Sequence, residues 1–208
     1  MNLVPSKWQH GKMKNKHTSI IVSIFVICAV AACQTTVGLQ NFPTMTFKNL
    51  PAINLVVSNI KILSKVERSF GKPNVTYNLS ITPEQAVMQW ARDRLATAGI
   101  KNTAQMIIVR ADAREIRLKL DESILGVFKN QQSHRLEAFV EARLEILNEK
   151  NIRQAFVTAK AQQSITVSEA TPISDRREIW YNLVEKLMTK FNSVMQQNID
   201  QKLRNYLF

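Results

Sequence analysis

Alternating apolar and polar residues define the clearest strands of this chain. From Leu136 to Ile146, apolar residues occupy every second position, and the positions between them are Glu, Phe or Arg. The same period of two runs from Ala155 to Gln162, and residues 149–153 can turn the chain between the two segments. Because alternate side chains lie on opposite faces of a strand, the pattern predicts an antiparallel hairpin with one buried and one solvent-exposed face.

Two other segments are also predicted as strands. Ile53–Val66 is rich in β-branched residues and lacks glycine and proline, and its alternation shifts phase near Val56-Val57, which is typical of a bulge. Ala104–Lys119 is a second long strand. Residues 67–81 contain a Gly-Lys-Pro-Asn run and are predicted as a loop. Residues 121–132 are predicted as a partly apolar excursion, a connecting segment between two strands.

Helix-start signals precede the first of two predicted helices. Thr82 and Gln85 have the spacing of a capping box, and Pro83 suits the first helical position. Apolar residues then recur at helical spacing. A helix is therefore predicted over Pro83–Ala98, with Gly99 as its left-handed C-cap.

The second predicted helix covers Pro172–Phe208, with Ser174 as its N-cap. Some 33 helical residues span roughly 50 Å, which is long for a domain whose radius of gyration is about 16 Å. The last turns are therefore predicted to bend or to project. Since Lys190, Lys202 and Arg204 flank the apolar stripe, a projecting end is predicted to lie on a membrane surface. The stripe consists of Trp180, Leu183, Val184, Leu187, Phe191, Val194, Met195, Ile199 and Leu203.

These elements predict an α+β fold in the order β-α-β-β-β-α. The architecture is a two-layer one, with a four-stranded, largely antiparallel sheet and two helices on one face. Many inward residues of the hairpin are alanines, which let a helix pack close to the sheet. The folded domain is predicted over residues 52–208.

The N-terminal region has the organisation of a secretory signal. Residues 13–18 are basic, residues 19–30 are apolar, and Ala31-Ala32-Cys33 follows. Val30–Cys33 resembles the bacterial lipobox, so residues 1–32 are predicted to be removed and Cys33 to be acylated. A membrane-spanning helix and a plain secretory signal are the alternatives, although the apolar run is shorter than the about 20 residues that a span requires.

Residues 33–51 are predicted to tether the folded domain to the membrane. They show little periodicity and contain Pro43 and Pro51. Gln34 resembles the residue found in lipoproteins that are sorted to the outer membrane, which implies an outer-membrane anchor with the domain facing the periplasm. Cys28 lies in the segment predicted to be removed, so no disulfide is expected in the mature protein.

The formal charge of +12 falls by four when the lysines of the predicted signal are removed. The remaining excess suggests attraction to an anionic partner, either a protein or an anionic lipid, although it is equally consistent with charge spread over all faces for solubility. Nucleic acid is not expected as a partner, because the chain is predicted to be exported and has no block of consecutive basic residues.

Residues suited to catalysis or metal binding are sparse. His134 is the only histidine after Cys33, and it is predicted to be a solvated loop residue. The sequence has no metal-ligand spacing and no phosphate-binding loop, so no metal, cofactor or catalytic residue is predicted. Glu137, Glu141 and Glu145 share a strand face with Arg143 and are predicted to be solvated.

Two aromatic residues are candidates for contact with a partner protein. Phe139 and Phe156 lie at the polar positions of the predicted hairpin, so their rings are expected on its solvent-exposed side. An isolated surface aromatic is the alternative interpretation of each.

Several segments resemble a family of small alphaproteobacterial lipoproteins. The resemblance lies in Pro73-Asn74-Val75, Thr82–Leu95, Val127-Phe128 with Arg135, and Ser174–Met188. It implies a strand, a Trp-containing helix, three more strands and a terminal helix, and it implies no catalytic residues. In element order the chain is also similar to the lipoprotein partner of the lipopolysaccharide-insertion barrel and to auxiliary lipoproteins of ABC lipid transporters.

The sequence therefore predicts a non-catalytic envelope lipoprotein that binds a partner in envelope assembly or lipid transport. A lipid-binding carrier, with an acyl chain held between the helices and the sheet, is the alternative. An envelope enzyme is a third, less favoured hypothesis.

Overall fold

A computed structural model of the protein describes residues 42–119 and 132–208, all within one unit, Asn41–Phe208. Cys33, Gln34 and nearly all of the predicted excursion over 121–132 lie outside the described residues. The elements of the described part, in chain order, are β1 (Ile53–Leu55), β2 (Asn59–Ser64), α1 (Pro83–Arg94), β3 (Leu95–Thr97), β4 (Thr103–Arg117), β5 (Gln132–Leu147), β6 (Arg153–Ser168) and α2 (Ile173–Lys202), with 3-10 turns at Thr76–Asn78 and Arg204–Tyr206.

The main sheet has four strands in the order β2-β4-β5-β6. β2 runs parallel to β4, whereas the β4–β5 and β5–β6 pairs are antiparallel, and Val140 of β5 pairs with Ala111 on one side and Ala161 on the other. Both helices pack against one face of this sheet and share a single hydrophobic core with it. The predicted two-layer α+β fold is confirmed, and the predicted hairpin is β5–β6.

Small residues line the face of the sheet that the helices cover. The larger helix side chains fill the space above them, and the ring of Trp90 meets that of Phe191 edge to face, with centroids 5.3 Å apart. This tight packing leaves the alanine face without solvent exposure. Its buried alanines are Ala104, Ala111, Ala113, Ala138, Ala142, Ala159 and Ala161.

The predicted strand over Ile53–Val66 is two strands with different partners. β1 pairs in parallel with β3, and β2 pairs in parallel with β4. The break falls where the alternation shifts phase: the Val57 N–H donates to the Leu55 carbonyl at 2.7 Å. The phase shift thus marks a change of sheet and not a bulge within one strand.

The first helix begins as predicted but ends four residues earlier. The Thr82 hydroxyl accepts from the Gln85 N–H at 3.1 Å, and Gln85 Oε1 accepts from the Thr82 N–H at 3.0 Å, which completes the capping box. After Arg94 the backbone becomes extended because β3 pairs with β1. Leu95, the first residue of β3, is buried at a position that also fits the helical spacing of apolar residues. The spacing therefore does not reveal where the helix ends.

Gly99 is not the C-cap of this helix. A Cβ atom on Gly99 would lie 2.6 Å from the Val56 carbonyl carbon and 2.8 Å from the Val57 nitrogen. Two backbones therefore cross at this position, and glycine permits the close approach.

The second helix runs from Ile173 to Lys202, and the prediction of a projecting end is wrong. Ser174 is not its N-cap: its hydroxyl donates to Asp175 at 2.9 Å. At the other end Ile199 and Leu203 are fully buried. A helix of 30 residues is about 45 Å long, and the 16-residue strand β6 beneath it is about 53 Å long, so the helix fits along the sheet.

The segment after α2 returns to the small sheet. The Val56 N–H donates to the Tyr206 carbonyl at 2.8 Å, and the Phe208 N–H donates to the Asn54 carbonyl at 3.0 Å. The predicted membrane-surface position of Lys202 and Arg204 thereby loses its basis. Within the described residues, neither α1 nor α2 has an apolar stretch long enough to cross a membrane.

Gly99→Ala is expected to destabilise the domain by about 1–3 kcal/mol, because the new Cβ overlaps backbone atoms that cannot rotate away. Urea unfolding followed by circular dichroism measures the loss. Gly71→Asn is the control, since Gly71 has a φ of +82° but no atom within 4 Å of a Cβ atom there, and Asn tolerates that region. Equal stability of Gly99→Ala and the natural protein would contradict the crossing.

Candidate partner-binding surface

The face of the main sheet opposite the helices, called the outer face below, is covered by paired charges. It comprises alternate residues of β4, β5 and β6, and each of its four ion-paired carboxylates lies within 3.1 Å of at least one cationic nitrogen. The carboxylates belong to Asp112, Glu137, Glu141 and Glu145, and the cations to Arg110, Arg114, Arg135, Arg143, Arg153 and Lys160.

Glu145 is the most buried carboxylate of the outer face, with only 6% of its surface exposed. Its Oε1 lies 2.8 Å from Arg143 Nε and 3.0 Å from Arg153 Nη1. The prediction of a solvated Glu145 is therefore wrong. Arg143 belongs to the same strand and Arg153 begins the next one, so this carboxylate joins the two strands at the hairpin end.

Asp112 makes a second doubly paired site. It accepts from the side chain of Arg110 and lies 3.1 Å from Arg114 Nε. The hydrogen bond to Asp112 raises the pKa of Arg110 above its usual value. Cations outnumber carboxylates in these outer-face pairs by six to four, so the pairs carry an excess of positive charge.

Phe139 and Phe156 both lie on the outer face but do not touch. Phe139 is half-buried beneath the guanidinium of Arg110, whose Cζ lies 4.3 Å from the ring centroid. Phe156 is 49% exposed, and the Arg153 Cζ lies 4.7 Å from its ring centroid. Phe139 pairs with Gln162, six positions along β6 from Phe156, a separation of roughly 20 Å.

Residues 42–50, called the strap below, cross the helical layer. The Phe42 ring stacks on Tyr181 of α2 with centroids 5.2 Å apart, and Met45 and Phe47 are buried in the core. Burial raises the pKa of Tyr181, to which Glu185 adds. Although residues 33–51 are predicted as a tether, their second half thus packs on the domain, and residues 33–41 lie outside the described residues.

Asp93 of α1 holds the strap through one carboxylate oxygen, and the other is held by Gln89 of the same helix. Its Oδ2 accepts from the Phe47 N–H at 2.8 Å and from the Thr46 hydroxyl at 3.1 Å, and its Oδ1 accepts from Gln89 at 2.9 Å. Burial alone would raise the pKa of Asp93, but the hydrogen bonds from Phe47, Gln89 and Thr46 and the charge of Lys48 lower it overall. These hydrogen bonds from the strap to Asp93, called the clasp below, are therefore strongest when Asp93 is ionised.

His134 is not a loop residue, in contrast to its prediction. It lies in β5, its Nδ1 is 2.8 Å from the Ser133 hydroxyl, and its Nε2 is 3.9 Å from Glu115 Oε1. Arg176 of α2 lies closer to that carboxylate, at 2.7 Å. Ser133 is 1% exposed, so its hydroxyl is not accessible to a substrate in solution. The cluster ties α2 to the sheet.

Within the described residues, no three His, Cys, Asp or Glu side chains lie close enough together to hold a metal ion. Sequence reasoning missed the strap and the burial of Glu145. The apolar residues Phe42, Met45 and Phe47 gave a signal for the strap, whereas Glu145 has the same alternating neighbours as Glu141 and gave none.

No protein-family model matches the sequence, and no curated protein does. Among solved structures, the chain is similar to rare lipoprotein B from Shewanella oneidensis, with 13% identity, a TM-score of 0.37, and coverage of 67% of this chain and 92% of that one. It is also similar to a minor lipoprotein from Acinetobacter baumannii, with 11% identity, a TM-score of 0.36, and coverage of 71% and 96%. Likeness at these TM-scores supports no inference about function.

Asp93→Ala is expected to release the strap, because the Phe47 N–H loses its acceptor. Hydrogen bonds to charged groups contribute about 1.5 kcal/mol or less at such a partly exposed site, so exchange of the Phe47 amide should accelerate by up to about tenfold. Hydrogen exchange followed by NMR measures this. Asp175→Ala is the charge-matched control, since Asp175 accepts from neighbouring Ser174.

The same clasp should depend on pH in a defined direction. Since the folded-state pKa of Asp93 lies below its usual value of 3.8, the stabilisation is present above that value and is lost as the pH falls through the folded-state pKa. Protection of the Phe47 amide should therefore decline at acid pH in the natural protein and be flat in Asp93→Ala. A pH-independent Phe47 amide in the natural protein would contradict the assigned role.

Glu145→Gln is expected to destabilise the domain by about 1–2 kcal/mol, because two arginines lose their shared, mostly buried carboxylate. Glu141→Gln should lower the free energy of unfolding by less than about 0.5 kcal/mol, since its partner Lys160 is largely solvated. Chemical unfolding at low and at 1 M salt compares the two variants. Equal losses of unfolding free energy in the two variants would show that the burial of Glu145 does not strengthen its ion pairs.

Proposed function

We propose that this protein is a bacterial envelope lipoprotein that is anchored through acylated Cys33 and binds a partner protein, without catalysing a reaction. The observation that carries the proposal is the course of the strap. It begins nine residues after Cys33, a distance that spans at most about 30 Å, and it is docked on the helical layer through Tyr181 and Asp93. The outer face lies on the opposite side of the sheet from the strap, so docking of the strap leaves it uncovered.

The outer face has the features of a surface prepared for a partner. Its arginines are already held by carboxylates and aromatic rings, as at Glu145 and Phe139, so little side-chain entropy would be lost on binding. Its excess of cations would select an anionic partner surface and steer its approach. Phe156, the more exposed ring, would supply an apolar anchor. The proposed role is in envelope assembly or lipid transport. The proposed location is the outer membrane, with the domain facing the periplasm.

A lipid-binding carrier is the second candidate, and one groove favours it. The groove has a volume of about 710 Å³ and lies between the loop after β2 and strand β4. Three cations and three carboxylates line it beside the apolar Val66 and Val109, a combination that suits a zwitterionic lipid head with an apolar neighbour. The charged residues are Lys65, Arg110, Arg114, Glu67, Asp112 and Glu141. The space between helices and sheet, where the sequence suggested an acyl site, is filled by residues such as Trp90 and Phe191.

Mass spectrometry of the gently purified protein without its own anchor separates the two candidates. A copurified lipid that is lost on Lys65→Glu or Arg114→Glu would favour the carrier. Protein purified free of lipid, with a partner crosslinked at the outer face, would favour the partner-binding role.

Cys33→Ser is expected to move the protein from the membrane to the soluble periplasmic fraction, because the acyl chains can no longer be attached. Intact-mass measurement should find an acylated Cys33 at the N-terminus of the natural protein. Cys28→Ser is the matched control, since Cys28 lies in the predicted signal and should leave fractionation unchanged. Membrane association of Cys33→Ser at the natural level would overturn the anchor.

Phe156→Ser is expected to weaken capture of the partner by roughly tenfold to thirtyfold, as is usual for an exposed aromatic anchor. Phe139→Ser should weaken it less, because that ring is half-buried. The measurement is crosslinking in native membranes with mass-spectrometric quantification. Phe70→Ser is the control, since Phe70 is a more exposed aromatic in the loop after β2. Equal effects of Phe156→Ser and Phe70→Ser would contradict a specific outer-face contact.

A further inference from the structure

Strand β6 forms one edge of the main sheet, and its hydrogen-bonding directions follow from a single contact. Asn198 Nδ2 of α2 donates to the Thr158 carbonyl at 2.9 Å, so the backbone groups of Thr158 point away from β5. The β5–β6 register is unbroken from Arg135 to Ile146, and backbone direction alternates along a strand. Even-numbered residues of β6 therefore direct their N–H and C=O groups to the open edge.

Four residues offer unpaired backbone groups along this edge. Thr158 is covered by Asn198, but the described part of the chain supplies no hydrogen-bond partner for the backbone edge groups of Lys160, Gln162, Ser164 or Thr166. All four residues are exposed. The edge is thus open over about 20 Å of strand.

On the opposite side of the sheet, the part of β4 that extends beyond β2 is covered by a loop. Beyond the end of β2, the Lys65 N–H donates to the Ile108 carbonyl at 2.9 Å, and the Val75 N–H donates to the Ala113 carbonyl at 2.9 Å. The Thr76 hydroxyl accepts from the Ala113 N–H at 2.8 Å. A loop thus covers much of the β4 edge, whereas the corresponding length of β6 has no such cover in the described residues.

Apart from Lys160 at its start, the open segment also lacks the residues that usually prevent strand addition. Residues 161–167 contain no charge, proline or glycine, and five of the seven are Gln, Ile, Thr or Val. Natural edge strands are protected by lysines, prolines, bulges or covering loops. An unprotected edge of this length is typical of a site at which a partner adds a strand.

A cavity beside the edge would receive a side chain of the added strand. It has a volume of about 250 Å³ and lies between β6 and α2, lined by Ile165, Ile179, Leu183 and Lys186. Ile165 is 42% exposed although it points to the side of the sheet that the helices cover. Lys186 has no carboxylate partner among the described residues, so an acidic side chain would complement it.

We propose that the edge of β6 from Lys160 to Thr166 binds an extended strand of a partner protein, in which apolar residues alternate with polar ones that include an acidic residue. The apolar residue would enter the cavity at Ile165, and the carboxylate would approach Lys186. The inference rests on the proposed partner-binding function and assigns its site of strand addition. A second copy of this chain is disfavoured as the occupant, because pairing two β6 edges antiparallel would bring the two Lys186 residues toward each other.

Ser164→Pro tests the site directly, because proline removes the edge N–H of Ser164 while leaving the β5–β6 ladder intact. Ser164→Val is the matched control, since it removes the hydroxyl but keeps the N–H. Both variants should unfold at the temperature of the natural protein within a few degrees. Gln163→Pro, which removes an N–H directed to β5, should unfold at a clearly lower temperature and thereby confirm the assigned backbone directions.

Binding is measured in native membranes with a photoreactive phenylalanine analogue at Gln162 of the full chain, and the crosslinked peptide is mapped by mass spectrometry. We expect one envelope-protein segment with the stated alternation and an acidic residue. Its yield should fall about tenfold in Ser164→Pro, the equivalent of one lost strand contact, and in Lys186→Glu, but stay unchanged in Ser164→Val.

Four outcomes would overturn the inference: a crosslink to a second copy, to lipid only, to a segment without that pattern, or to nothing. A crosslink that persists undiminished in Ser164→Pro would overturn it as well. If capture at the outer face still depends on Phe156 while Gln162 captures nothing, only the edge inference fails. If neither position captures a protein, the proposed function fails with it.

Discussion

The close packing of two helices on an alanine-rich sheet face is the constraint on which the rest of the structure depends. Small residues such as Ala142 and Ala159 let large helix side chains, Trp90 and Phe191 among them, pack closely against the sheet. The sheet consequently has one dry face only. Its other face is wet along strands of 15 and 16 residues, and charge pairs stabilise it where apolar contacts cannot.

The one-sided packing also places the strap and the outer face on opposite sides of the sheet. The strap and its hydrogen bonds to Asp93 lie in the helical layer. The outer face is exposed on the other side, and the β6 edge borders both sides. A loop protects the part of β4 that extends beyond β2, whereas α2 covers β6 only near Thr158.

Local signals predicted much of the fold, and long-range pairing accounts for most of what they missed. The alternation of the β5–β6 hairpin and the capping box at Thr82 depend on neighbouring residues, so the sequence alone was sufficient. The end of α1 at Arg94 and the break at Val56 depend on β1 pairing with β3, which no local pattern encodes. The alternation placed Phe139 and Phe156 on the correct face of the sheet, but the distance between them depends on the β5–β6 register, which it does not give. Acylation of Cys33 stays a prediction.

The return of the chain after α2 has a consequence for how the domain is made. Tyr206 and Phe208 hydrogen-bond to Val56 and Asn54, so the first and the last described elements complete the same small sheet. Contacts between residues so far apart in sequence close late in folding, since the loop between them must be ordered first. The domain therefore cannot mature stepwise from its N-terminus as the chain emerges. It becomes native only when the residues after α2 have joined the small sheet.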